Sequence, residues 1–223
     1  MVMEILKHNR NEEVWMFIVN PKIEKYIQDL MPPMSPVLQE MTQYGYQNDF
    51  PIIGPLCGQF LQQMAVAANA NNIFEMGSGF GYSAAWFARG LQPDGKIICA
   101  DGDPNNRERA ISYFKRLHID DRIEFHVGRA QEILQQFKGP FDIIFNDVDK
   151  EQYPDTLDLV VPRLRKGGLF ITDNALWDGQ VTEPGGDIYT MGVKEFNKQI
   201  FARRDLATMI VPLRDGLAVS VKL

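Results

Sequence analysis

From Asn72 to Thr172 the chain repeats one pattern, a run of four or five mostly apolar residues followed by a longer stretch with helical spacing. The runs are Ile73–Met76, Lys96–Ala100, Ile123–Val127, Phe141–Phe145 and Leu169–Thr172, and the stretches between them are Ser83–Gly90, Asn105–Leu117, Ala130–Phe137 and Tyr153–Leu164. Runs that short fit strands buried on both faces better than helices. Strands joined by a helix-length crossover pair in parallel, so the pattern predicts five parallel strands with helices packed on the sheet. Pro154 opens the last of these helices as a first-turn proline does, and Gly167-Gly168 is expected to end it.

The flanks read differently. Residues 12 to 70 contain no strand-like run and predict helices over Glu13–Val19, Pro21–Leu30, Pro36–Tyr46 and Gly54–Ala70, separated by Pro and Asn. At the other end, a helix over Val193–Phe201 precedes two apolar runs, Ala207–Leu213 and Leu217–Leu223, joined only by Arg214-Asp215-Gly216. A link that short makes an antiparallel hairpin. The predicted fold is α/β: a Rossmann-like, doubly wound, mostly parallel sheet with a C-terminal antiparallel hairpin and an N-terminal helical cap. At 223 residues this fits one domain, with 1–50 as the cap and 51–223 as the ligand-binding core.

Charge narrows the partners. With 29 Asp+Glu against 23 Lys+Arg the net charge is -6, which provides no global field to draw in a polyanion, so nucleic acid is not the default partner. The one short basic stretch, Arg163-Leu164-Arg165-Lys166, reads as a solvated helix end. Cys57 and Cys99 sit in apolar patterns without metal-like spacing and read as small buried hydrophobes. Nothing in Met1–Glu13, and no apolar run longer than Val14–Val19 nearby, fits a leader peptide or a membrane span, so a cytoplasmic location is the expectation.

In open α/β sheets ligands bind beyond the carboxyl ends of the strands. Here those ends are acidic nearly everywhere: Glu75 before the loop Gly77-Ser78-Gly79-Phe80-Gly81, Asp101 after the second strand, Asp147 to Lys150 after the fourth, Asp173-Asn174 after the fifth. A glycine-rich turn with an acid on the next strand fits adenosine, whether in a nicotinamide dinucleotide or in S-adenosylmethionine. Two positions favour the latter. Tyr82 stands where the dinucleotide fingerprint wants a third glycine, and Glu75 repels a pyrophosphate but complements an ammonium and a sulfonium. Asp147, Asp173 and Asn174 bring two carboxylates and an amide to neighbouring strand tips with few cations nearby in sequence, an all-oxygen set suited to Mg²⁺, Mn²⁺ or Ca²⁺. The plain alternatives are that Asp147 caps a helix, that Asp173-Asn174 is a turn pair, and that Lys150, a candidate base, is ion-paired with Asp149 or Glu151. His8, His118 and His126 are scattered and carry no catalytic expectation.

Together these motifs resemble the cation-dependent O-methyltransferases of the catechol and caffeoyl-coenzyme A type, within the class I S-adenosylmethionine-dependent methyltransferases. Four segments carry the likeness: FEMGSGFGYSAAWFA (74–88), ICADGDP (98–104), FDIIFNDVDKEQYPDTLDLVVPRLRKGGLFITDNALWDGQV (141–181) and VPLRDGLAVSVKL (211–223). The resemblance implies that Glu75, Gly77, Ser78 and Ser83 line the methionine end of the cofactor, that Asp101 binds its ribose, and that Ala130 meets the adenine while Asp149 also faces the cofactor. It implies that Asp147, Asp173 and Asn174 hold the metal, commonly Mg²⁺, that Lys150 is the base, that Trp177 and Asp178 face the acceptor, and that the chain forms a homodimer. Three residues depart from the family pattern: Arg129 replaces an acid beside the adenine, Asp178 replaces an acceptor-contacting asparagine of plant members, and Asp101 is shorter than the usual glutamate. The activity implied is methyl transfer to a hydroxyl of a small catechol-like aromatic. A hydroxylated tRNA base is an alternative acceptor, and a nicotinamide-dependent oxidoreductase or a non-catalytic cofactor-binding protein are the alternatives of another class.

Overall fold

The computed structural model describes residues 18–223, so the helix expected over Glu13–Val19 lies, except for its last two residues, outside the described residues. The strands are β1 (Asn72–Met76), β2 (Lys96–Asp101), β3 (Ile123–Val127), β4 (Phe141–Asn146), β5 (Leu164–Thr172), β6 (Leu206–Val211) and β7 (Leu217–Lys222). They form one sheet in the order β3-β2-β1-β4-β5-β7-β6. β1 to β5 are parallel, as their helical crossovers require, and β7 runs against both β5 and β6. The hairpin therefore folds back so that its second strand lies inside and its first forms the sheet edge.

The helices are α1 (Pro21–Leu30), α2 (Pro36–Gln47), α3 (Gly54–Ala67), α4 (Tyr82–Ala88), α5 (Pro104–Leu117), α6 (Ala130–Gln135), α7 (Tyr153–Val160) and α8 (Ile188–Ala202). Four of them start on a side-chain cap, from Asn20, Ser35, Asp103 and Asp187. Because side chains alternate across a strand, the sheet carries two cores. Ile73, Ile97, Ile143 and Phe145 pack with Leu61, Trp86, Phe87 and Phe114 on one face, while Phe74, Met76, Ile144 and Phe170 pack with Tyr153, Leu157 and Phe196 on the other. Both cysteines are free and buried. Among the described residues no helix is long and apolar enough to cross a membrane.

Three expectations need correction. α7 stops at Val160, and a 3-10 turn over Val161–Arg163 contains Pro162, which has no N–H to continue the ladder. Gly167-Gly168 does not end that helix but lies within β5, where the register jumps from Phe141↔Leu164 to Ile143↔Leu169. A Cβ on Gly168 would come within 2.9 Å of the Arg165 carbonyl, so the bulge closes only around glycine. The basic stretch is not a solvated helix end either: Arg163 donates to the Phe137 and Leu159 carbonyls, and Arg165 pairs with Asp142 at 2.5 Å and donates to the Ala68 carbonyl at 2.7 Å.

α8 also begins five residues before the predicted Val193, on the Asp187 cap, with Gly192 inside it. That glycine lowers the helical signal in the sequence but fits the packing, since a Cβ there would lie 2.3 Å from the Lys150 carbonyl oxygen, against backbone. Gly192→Ala is expected to cost about 1–3 kcal/mol by overpacking and to shift the Lys150 turn. Urea denaturation checks the first and an activity assay the second; parent-like values in both would refute the contact.

Candidate active site

The strand order reverses at β1 and β4, and a crevice lies beyond the carboxyl ends of strands at such a switch point. A cavity of about 600 Å³ opens there. Gly77, Ser78 and Ser83 reach it from β1 and α4, Asp101 from β2, Asp147, Asp149 and Lys150 from β4, and Asp173, Asn174 and Trp177 from β5. Glu75, Ala130 and Asp178 do not line it. Ala130 opens α6, and the preceding Arg129 makes no cap but faces Glu132 at 3.6 Å on the surface.

The glycine loop is built for close approach. Gly77 has φ +83, and a Cβ there would lie 2.3 Å from the Asp147 carbonyl oxygen; Gly81 also has φ +83, with Phe114 at 2.4 Å. Tyr82, at the missing third glycine, is buried and its hydroxyl lies 2.9 Å from the Thr42 hydroxyl of α2. Strand alternation puts Glu75 on the α4 face beneath this loop. It is fully buried, one oxygen accepts from Cys99 at 3.4 Å, and Oε1 has no partner. Burial pushes its carboxyl up to about 7, against the hydrogen-bonding influence of Ser83, Ser78 and Cys99. Asp101 accepts from the Gly79 and Asp103 N–H groups and from Asn106, each at 2.9 Å, which leaves about one of its four lone-pair directions.

On the other side of the crevice, Asn146 pairs with Thr172, so Asp147 and Asp173 leave adjacent strands side by side. Here the sequence reading was incomplete, because both carboxylates have cationic partners. Lys150 donates to Asp147 at 2.9 Å and lies 5.5 Å from the Tyr153 ring and 5.7 Å from the Trp177 ring; Asp147, not Asp149 or Glu151, is its ion-pair partner. Asp173, 2% exposed, accepts from Arg214 on Oδ2, and its Oδ1 has no partner. Burial raises the Asp173 carboxyl to about 6, with Arg214 opposing the rise. Asn174, at φ 54, donates its Nδ2 to Asp215 at 2.9 Å, which leaves its amide oxygen for another group. No sequence spacing signals Arg214, since 41 residues separate it from Asp173.

Phe50, Ile52, Trp177 and Tyr189 form apolar walls around the same cavity, and of these only Trp177 was anticipated. Asp178 serves through its backbone instead, its N–H donating to the Asp215 carboxylate while its side chain stays outside the cavity.

A doubly wound sheet of this order, with a buried carboxylate that lacks a cationic partner under the glycine loop, fits a Rossmann-like methyltransferase. The O-methyltransferase family model matches residues 28–223. A catechol O-methyltransferase of Niastella koreensis is 31% identical over 215 residues, covering 89% of this chain and 96% of that protein. Caffeoyl-CoA O-methyltransferase 1 of Eucalyptus globulus is 33% identical over 174 residues, 73% of this chain and 71% of its own. The crystal structure of the Bacillus cereus O-methyltransferase in complex with SAH superposes with a TM-score of 0.83 at 28% identity, covering 91% of this chain and 97% of that one. The chain belongs to the O-methyltransferase family and is an S-adenosylmethionine-dependent O-methyltransferase; the oxidoreductase and non-catalytic readings fall away.

Glu75 gives a measurable signature. Its carboxyl binds a proton more tightly folded than unfolded, so the stability it contributes at low pH is lost as pH rises from 4.5 through 7. The loss is on the order of 3 kcal/mol. Asp173 adds a slope of the same sign, which Glu75→Gln leaves in place. The ligand-free variant is therefore expected to gain stability on the parent between pH 5 and pH 8 in urea denaturation, and to lose S-adenosylmethionine affinity by calorimetry. A parent–variant difference equal at both pH values would contradict this.

Proposed function

We propose that the acceptor is a hydroxyl of a small catechol-like aromatic and that a divalent cation, Mg²⁺ by preference, is held by Asp147, Asp173 and Asn174. One observation carries this reading: the cavity that holds the glycine loop also contains a buried carboxylate oxygen without a partner, Asp173 Oδ1, beside the free amide oxygen of Asn174 and the Asp147 carboxylate. An all-oxygen set of this kind suits a hard cation. Bound there, such an ion would supply Lewis acidity, favouring loss of the acceptor hydroxyl's proton. The aromatic walls support a flat acceptor, as do relatives named for catechol and caffeoyl-CoA.

Within this reading Glu75 offers negative charge to the cationic end of S-adenosylmethionine, Gly77 and Ser78 let the backbone close on it, and Asp101 orients the ribose. Phe50, Trp177 and Tyr189 hold the acceptor ring and exclude water, placing its hydroxyl near Lys150. The acceptor oxygen forms a bond to the methyl carbon as the carbon–sulfur bond breaks, leaving the thioether product, and the hydroxyl proton passes to the Lys150 amine after its ammonium has released a proton to solvent. Arg163 and Arg165, the arginines of the one short basic stretch, direct donors inward, which argues against RNA as the acceptor.

The test is transfer of labelled methyl to a generic catechol. EDTA is expected to abolish turnover and Mg²⁺ to restore it, whereas turnover that survives EDTA removes the cation from the reading, and labelling of hydroxylated tRNA in place of catechols replaces the acceptor. Lys150→Met is expected to lower kcat by roughly 10² to 10⁴ while S-adenosylmethionine affinity stays at the parent value.

A further inference from the structure

Arg214 is the charged group at this rim for which the proposed reaction has no role. It stands at the tip of the β6–β7 hairpin with φ 51, and its guanidinium donates to Asp173. The link that carries it is bonded to the segment leaving β5: the Ala175 N–H donates to the Gly216 carbonyl at 2.9 Å, Leu176 N–H to the Asp215 carbonyl at 2.9 Å, and Asn174 Nδ2 to the Asp215 carboxylate at 2.9 Å. Arg214 and Asp215 thus engage Asp173 and Asn174, two of the three candidate ligands. Since Lys150 pairs with Asp147, the two carboxylates are matched by two protein cations before any ion arrives.

We propose that Arg214 is a built-in competitor for the cation: it holds Asp173 Oδ2 and sets a like charge beside the site, so it gives way as a divalent ion binds and thereby sets the affinity of the site. The proposal rests on the cation reading above. The physical reason is charge: an ion entering a carboxylate pair already neutralised gains less than one entering an unpaired set, and it also faces a fixed like charge. A rim without Arg214 would bind the same ion more tightly.

Mn²⁺ titrations followed by electron paramagnetic resonance on the ligand-free parent, Arg214→Gln and Arg214→Lys test it. Arg214→Gln is expected to bind Mn²⁺ about tenfold or more tightly than the parent, the size of effect a neighbouring like charge has on a charged equilibrium, and Arg214→Lys, which keeps the charge, to stay near the parent. Equal or weaker binding by Arg214→Gln overturns the competitor role alone. Mn²⁺ binding absent from all three overturns the cation reading with it. Removing one partner of a buried pair can prevent folding, so a second measurement uses the intact parent: Mg²⁺ should shift the Arg214 Nη–H resonances, the donors to Asp173, as the guanidinium gives way, and resonances unmoved at saturating Mg²⁺ overturn the proposal equally.

Discussion

A carboxylate removed from water must be compensated, and Asp173, at 2% exposure, is only partly so, with one oxygen paired to Arg214 and the other unpaired. This constraint explains the C-terminal hairpin's place in the sheet. β7 pairs with β5 from Leu169↔Val221 to Thr172↔Ala218, so the turn that precedes it arrives beside Asp173 and Asn174. The strand that ends the sheet thereby also completes the rim of the cavity.

Glu75 is the counterpart across the crevice. Both neighbours of its strand are parallel, and its register partners are Cys99 and Phe145, so nothing on either side can neutralise it. A carboxyl in that position is a standing cost in the empty protein, expressed as a raised pKa, and under the proposed reading a cationic ligand relieves it. The loop above makes such relief possible, because Gly77 brings the backbone against the Asp147 carbonyl where any side chain would collide. The two halves of the crevice thus touch through backbone, and a shift in one is felt in the other.

Much of this was legible in the sequence where a local rule governs it. The five parallel strands followed from alternation, the hairpin from a three-residue link, and the placement of Gly77, Asp101, Asp147, Asp173 and Asn174 on one cavity from the rule that sites form at strand ends. What was not legible depended on contacts between distant segments. The last helix was expected only from Val193 because the packing of Gly192 against Lys150 cannot be read from neighbours in the chain, and Gly167-Gly168 looked like a helix end because a bulge in β5 leaves the same composition. Arg214 was read as part of a turn, and the inference of uncompensated carboxylates, made from a local count of cations, went too far for that reason.

The same lesson bears on Lys150. Its ammonium, paired with Asp147 and set against two aromatic rings, is one of two cations that balance the β4 and β5 carboxylates, so a change at either pair alters the charge the other must meet. Asp147 and Asp173 follow adjacent strands, and the Asp147 carboxylate raises the cost of ionising Asp173 while Arg214 lowers it. The rim is therefore better described as a four-charge cluster than as two separate ion pairs. Within such a cluster the effect of substituting one member depends on the state of the other three, and Lys150, Asp147, Asp173 and Arg214 are expected to behave non-additively for the physical reason that they share one small volume of low dielectric.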